Sequence, residues 1–309
     1  MARELAGSAE VAHVPLLSGP RERRERLAGA FGPKVELART RTPDLVVLCL
    51  PDHLQAATAR TYLDEGVSVV ATASDRATVL ELLDLDPVAT AAGRAVVVGA
   101  AFSPGLTTVL AAHAAGLFEE VLEVHTGSVG AAGPACVEAR RAAMRDDGQE
   151  WRDGSWESVR AGSAAELLWF PDPIGSVECR RGDLADPVLL RRSLPGAVRL
   201  SARSVAPARS WAERWADRLG RPDRSLDAPG AVRVEVRGRH DGRTDQVVYA
   251  AMDRPAVATA AVAAVSAVEV LRRGRTGAMG VAELGAPRDL LAELARRGVR
   301  CCTFEGTET

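Results

Sequence analysis

Three short apolar runs alternate with two stretches of helical periodicity between residues 44 and 106, and no other feature restricts the possible folds as strongly. The runs at 44–51 (DLVVLCLP), 68–74 (SVVATAS) and 95–102 (AVVVGAAF) have the unbroken Val, Leu and Ala content of strands buried on both faces. Between them, residues 53–66 and 77–93 space their apolar side chains helically, and each stretch ends on glycine. Strands separated by helices pair in parallel through right-handed crossovers. Two earlier strands at 11–17 and 35–39, joined by an arginine-rich helix at 21–31, extend the pattern. The fold class that follows is α/β with a Rossmann-like parallel sheet.

In a complete sheet of this kind, a first strand and a G-x-G-x-x-G turn stand before the helix that leads into the strand at 11–17. Residues 2–7 (ARELAG) read as the last turns of that helix, so the first strand and the glycine loop are expected to be missing. Residues 1–119 therefore read as an incomplete NAD(P)-binding Rossmann-like domain.

From residue 120 the pattern changes to strands that favour an antiparallel sheet. Residues 120–129 read as a strand and 134–145 as a helix opened by Pro134. Asp153-Gly154 is a preferred type I′ turn pair, which sets Trp151 opposite Trp156 across a hairpin. Further strands are expected at 197–205, 231–237 and 246–252, the last two joined around Asp241-Gly242. Residues 120–309 thus form a second, α+β domain with a mainly antiparallel sheet, suited to binding substrate and to homodimer formation. The closing segment, 255–309, is expected to pack back on the first domain.

The 309 residues, 47% hydrophobic and 26% charged, suffice for two cores. A net charge of −2, with arginines scattered among carboxylates, gives no basis for a nucleic-acid partner. Five cysteines without a C-x-x-C pair or regular spacing imply a reduced, cytoplasmic protein and no metal site. Cys49, inside an apolar run, reads as a small core residue. No membrane partner is expected, because the least polar helix, at 256–271, is short and weakly hydrophobic for a span.

Ligands of open parallel sheets bind beyond the carboxyl ends of the strands. The residues leaving those ends are Ser18, Leu50-Pro51, Ser74 and Ser103. Ser18 stands where an acidic residue would hold the ribose hydroxyls of NAD, and Arg21 follows it; this pair suits a 2′-phosphate, so NADP is favoured over NAD. Leu50, Pro51 and Ser74 complete the expected cofactor contacts. Ser103 as N-cap and Pro104 in the first helical turn, with Gly105, would offer helix amides to an anionic substrate. His53 lies just past a strand tip. His125 sits on the first strand of the second domain, and with Trp151 is expected to face the cleft from there.

The run AVVVGAAFSPGLTTVLA, following SVVATASD, resembles the saccharopine dehydrogenase family, as does the closing pattern GVAE, PRDLLAELARR and Gly298-Val299. The resemblance covers most of the chain loosely and these segments more specifically. It implies an NAD(P)-dependent oxidoreductase acting on CH–NH bonds, with hydride transfer to or from an imine of an amino-acid-like small molecule. It also places Asp75 at a family-like aspartate, so Asp75, His125 and His53 are the candidate proton-handling residues. The family's glycine fingerprint is absent here. A second reading is therefore a non-catalytic or regulatory relative that has lost dinucleotide binding and acts as an interaction protein.

Overall fold

The computed structural model describes residues 1–37, 41–130, 132–205 and 228–304. Helix α1 (Ala2–Ala6) leads to strand β1 (Val14–Pro15), helix α2 (Arg21–Phe31) and strand β2 (Val35–Glu36), and the two strands pair in parallel with Val14 opposite Val35. The expected strand at 35–39 is described only in part, since residues 38 and 39 lie outside the described set.

The alternation that follows is β3 (Leu45–Leu48), α3 (Asp52–Asp64), β4 (Ser68–Ala71), α4 (Arg76–Leu83), α5 (Asp86–Ala91), β5 (Ala95–Val98) and α6 (Leu106–Ala115). These strands form a parallel sheet, completed beside β5 by a strand from the far end of the chain, Gly277–Gly280. Both β4 and β5 are buried along their whole length, as their continuous Val and Ala content requires.

Two departures from the sequence pattern have local causes. The single helix expected at 77–93 is two, because Pro87 sits in the first turn of α5. Within one continuous helix its ring would meet the carbonyl of Leu83 and remove a hydrogen bond. The helix expected to start at Ser103 instead starts at Leu106, with Gly105 as its N-cap. The loop 99–105 doubles back so tightly that a Cβ on Gly105 would lie 2.4 Å from the carbonyl oxygen of Gly99, and its φ of +116° is left-handed. Ser103 and Pro104 therefore offer no helix amides.

The second sheet has nine strands among the described residues. Its elements are β6 (Glu120–Val129), α7 (Pro134–Ala143), β7 (Gly148–Arg152), β8 (Ser155–Val159), β9 (Glu166–Phe170), β10 (Gly175–Arg180), α8 (Asp186–Ser193), β11 (Arg199–Val205), β12 (Gly230–His240) and β13 (Arg243–Asp253). Helix α9 (Pro255–Arg273), strand β14 (Gly277–Gly280), helix α10 (Pro287–Arg296) and strand β15 (Arg300–Phe304) close the chain. The strand order is β15-β13-β12-β6-β11-β10-β9, with the β7–β8 hairpin attached through β7 to β11; among the described strands of this sheet only β6 and β11 pair in parallel. The type I′ geometry shows in the positive φ of Asp153 (48°) and Gly154 (88°).

Side chains alternate across each strand. Val124 of β6, Leu200 of β11 and Val232, Val234 and Val236 of β12 join one core with α6 and α9. Helix α9 is long and apolar enough to cross a membrane by length and composition, contrary to the sequence estimate, yet 61% of its apolar window is buried inside the protein. Its Ala and Val side chains let it lie close to α6, α10 and strands β3 and β4.

Candidate active site

Because β3, β4 and β5 are parallel, their carboxyl ends share one edge of the sheet. The segments leaving them face α7 and the turn before it across a cleft of about 540 Å³, bordered by Leu50, Pro51, Asp52, Ser74, Asp75 and Ser103 on one side and Cys136, Arg140 and Asp186 on the other.

Asp52 opens α3 and reaches across to the next strand tip. Its Oδ2 accepts from the Ser74 amide at 2.9 Å, the Ser74 hydroxyl at 3.1 Å and the Asp75 amide at 2.9 Å. Burial pushes its carboxyl above the ordinary range against these hydrogen bonds, and the neighbouring Asp75 carboxyl adds to the shift. Asp75 caps α4 through Oδ1, which accepts from the Thr78 amide at 2.9 Å. Its Oδ2 is buried and has no hydrogen-bond partner among the described residues.

Asp186, the first residue of α8, is 2% exposed. The Ser103 hydroxyl donates to its Oδ2 at 3.0 Å, and the Thr107 hydroxyl donates to its Oδ1 at 2.5 Å. Burial pushes this carboxyl up, while the hydroxyls of Thr107, Ser103 and Thr126 oppose the shift. Beside it on α7, Arg140 is half-buried in the cleft wall, and burial lowers its pKa against the pull of Cys136, Cys179 and Asp186. No carboxylate among the described residues is in ion-pair contact with Arg140. A substrate carboxylate would supply that partner.

Of the residues expected from the sequence, Leu50, Pro51, Ser74, Asp75 and Ser103 border this one cleft. Pro104 and Gly105 lie behind it, in the folded loop before α6. His53 is exposed on α3 and does not border it. His125 faces the other side of the second sheet, where its Nδ1 meets the Ser201 hydroxyl at 2.6 Å and its Nε2 meets Glu123 at 3.3 Å. The reason is strand parity: on β6, Thr126 and Ser128 take the cleft-side face, so His125 cannot. Trp151 shares the core side of the sheet with its cross-strand partner Leu200 but lies outside the cleft, held edge-to-face against Trp156 at 5.4 Å and under the Arg191 guanidinium at 4.3 Å.

Ser18 is exposed outside the cleft. Arg21 is paired to Glu25 at 2.7 Å with its side chain 82% exposed. Arg23 borders the cleft in its place, since two residues along a helix turn the side chain by about 200°. Arg24 is occupied between strands, donating to the carbonyls of Leu16 at 3.2 Å and Leu37 at 2.8 Å. Cys49 is exposed at the cleft and not in the core, because β3 ends one residue before it. At the β12–β13 turn, Glu119, His240 and Asp241 bring exposed ligand-type atoms within 4.8 Å of one another, as neighbouring surface charges commonly do.

Asp52, Arg140 and Asp186 were not singled out from the sequence. An Asp-Pro pair opening an apolar helix marks Asp186, and an aspartate following Pro51 at a strand tip marks Asp52. Nothing separates Arg140 from its many fellow arginines.

No protein-family model matches the sequence, and no curated protein matches it. Among solved structures, the apo saccharopine dehydrogenase (L-Glu forming) from Saccharomyces cerevisiae aligns over 98% of this chain and 96% of its own, with a TM-score of 0.65 and 14% identity. An engineered D-amino acid dehydrogenase bound to NADP+ aligns over 93% of this chain and 99% of its own, with a TM-score of 0.47 and 17% identity. The C. glutamicum DAP dehydrogenase in complex with DAP aligns over 93% and 99%, with a TM-score of 0.45 and 16% identity. At 14% identity, the likeness to the yeast enzyme is one of fold: the chain is built as a Rossmann-like parallel sheet joined to a second, mainly antiparallel domain.

Proposed function

We propose that this chain is an NAD(P)-dependent oxidoreductase that acts on the C–N bond of a small, carboxylate-bearing imine or amine. The observation that carries this reading is the convergence of Arg140 and the Ser103–Asp186 pair on the cleft at the carboxyl ends of β3, β4 and β5.

Arg140 holds the substrate carboxylate through charge-assisted hydrogen bonds. The Ser103 hydroxyl lies between the cleft and the Asp186 carboxyl, where it gives its proton to the substrate nitrogen and is resupplied from Asp186; in the reverse direction the proton returns the same way. Burial raises the Asp186 pKa, which favours that exchange. A bound nicotinamide supplies or accepts the hydride at the carbon.

At the nucleotide end of the cleft, Arg23 fits a phosphate, and Leu50, Pro51, Thr72 and Ser74 offer a wall for a ribose and nicotinamide. A cation there supports NADP over NAD. The turns after β3 and β4 carry no glycine, reading Cys49-Leu50-Pro51 and Thr72-Ala73-Ser74-Asp75. Amides that would cradle a pyrophosphate are therefore few, which favours weak binding and keeps a second reading open, that of a relative using the cleft to bind a carboxylate ligand without catalysis.

Titrating the full chain with NADPH and NADH, followed by nicotinamide fluorescence, tests the reading. NADPH is expected to bind more tightly than NADH, with Kd on the order of 100 μM, about 5.5 kcal/mol. No binding of either cofactor at millimolar concentration overturns the oxidoreductase and leaves the second reading. A homodimer in the cytoplasm is part of the same proposal, and sedimentation equilibrium tests the dimer.

A further inference from the structure

The face of the second sheet turned away from the cleft has a charge pattern that the oxidoreductase reading does not use. Register across β11, β6 and β12 sets three rows side by side: Arg199–Glu123–Arg237, Ser201–His125–Glu235 and Arg203–Gly127–Arg233. Arginine occupies all four corners, and His125 the centre. Strand β9 folds over the lower row, where Leu168 covers Gly127 so closely that a Cβ would lie 2.6 Å from its Cδ1. Between these strands lies a cavity of about 250 Å³, lined by the four arginines, His125, Glu123, Glu166 and Glu235.

The carboxylates do not satisfy the arginines. Glu123 is shared between Arg199 at 3.8 Å and Arg237 at 3.5 Å, Glu235 pairs with Arg233 at 2.9 Å, and Glu166 reaches Arg203 at 3.1 Å from β9. Four guanidiniums thus meet three carboxylates, and the surplus of one positive charge remains when the adjoining Glu150 and Glu157 are set against Arg181 and Arg152. The Nε groups of Arg199 and Arg203 are buried with no acceptor among the described residues. A buried donor left without an acceptor loses its hydration with nothing in return. Two of them on one face of one strand, beside a cavity far larger than the ~30 Å³ a single water takes, mark a place where acceptor oxygens are needed.

We infer that this cavity is a binding site for a small oxyanion of the phosphate class, held by the corner arginines over His125. Guanidiniums match tetrahedral oxyanions through paired N–H donors, and a phosphate brings enough oxygens to meet both orphaned Nε groups while offsetting the surplus charge. Chloride has the charge without that geometry. The site lies on the opposite face of β6 from the cleft, and the inference stands independently of the proposed oxidoreductase activity.

The test uses the full chain and inorganic phosphate. His125 contributes one of five histidine resonances, identified through His125→Gln, and its imidazole signal is followed as phosphate or chloride is added at matched ionic strength. A saturable shift with phosphate alone is expected. Arg203→Gln should weaken phosphate by about tenfold, the equivalent of one charge-assisted hydrogen bond. Glu235→Gln keeps every arginine, removes a competing carboxylate, and should tighten phosphate by about threefold. Arg140→Gln, which alters only the cleft, should leave the His125 response intact. The inference is overturned by the absence of a saturable shift, by an equal response to chloride, or by unchanged affinity in the Arg203 variant. Should that variant fail to fold, unchanged or weakened phosphate binding in Glu235→Gln overturns it instead.

Discussion

Ser103, in the loop leaving β5, donates its hydroxyl at 3.0 Å to the carboxylate of Asp186 at the start of α8, so one hydrogen bond joins the edge of the parallel sheet to the second domain. The same carboxylate holds Thr107 of α6 at 2.5 Å. The contact that positions the proposed proton donor therefore also fixes the loop against its helix, and substitutions separate the two roles. Ser103→Ala removes the exchangeable proton and leaves Asp186 its threonine partners. It should lower kcat by roughly 100-fold, in line with loss of a general acid, while the thermal midpoint moves little. Steady-state kinetics beside a melting curve decides; an unchanged kcat would make Ser103 a structural residue only.

Arg140→Gln should raise KM for carboxylate-bearing substrates by about 2 kcal/mol in apparent binding, the worth of a charged hydrogen bond, with kcat changing less. Arg140→Lys should recover part of the loss, since the charge survives while the fork geometry does not. Equal behaviour toward a substrate amide and its carboxylate would remove Arg140 from the binding site.

Arg23→Ala should weaken NADPH selectively, whereas Arg21→Ala should leave both cofactors unchanged, because Arg21 is spent on Glu25 outside the cleft and Arg23 borders it. The check is a pair of titrations for each variant. Selective loss in the Arg21 variant would reverse the assignment.

The Asp52 carboxyl gives a signed pH dependence. Its folded pKa is raised above 3.8, so the native state holds its proton more tightly than the unfolded chain, and stability declines as pH climbs from about 3.8 through the folded value. Asp52→Asn removes the charge, can still accept from Ser74 and Asp75 through its amide oxygen, and presents an N–H toward the unpartnered Asp75 Oδ2. The variant should be about 1 kcal/mol more stable at pH 7, with the gain fading below pH 3.8, where Asp52 is protonated in both states. Urea unfolding at the two pH values is the measurement.

Trp156→Ala should cost about 1 kcal/mol, through loss of the edge-to-face contact with Trp151 across the hairpin. It should leave cofactor affinity untouched, because neither indole reaches the cleft.

The parallel sheet was legible because buried strands and helices differ in period and in residue type, and the strand tips at Pro51, Ser74 and Ser103 followed from topology alone. Facing was not legible. The run 120–129 (EVLEVHTGSV) fixes a strand without fixing which parity meets the cleft, and a shift of one residue exchanges His125 for Thr126. Asp186 lies 83 positions from Ser103, so their meeting depends on how the second domain docks, which no local pattern encodes. Arg21 and Arg23 share one helix and one residue type, and only the packed helix decides which of them turns inward.

The last fifty or so residues place β14 in the first sheet and β15 in the second, with α9 lying against both the first sheet and α6. Each half of the protein is therefore finished by chain that has already passed through the other. Cutting the backbone between residues 119 and 120 would not release two independent folding units, because the first sheet would lose its edge strand to the second fragment. The halves are laced together and should melt in one cooperative step, and any opening of the cleft must flex around this tether and cannot swing on a single linker.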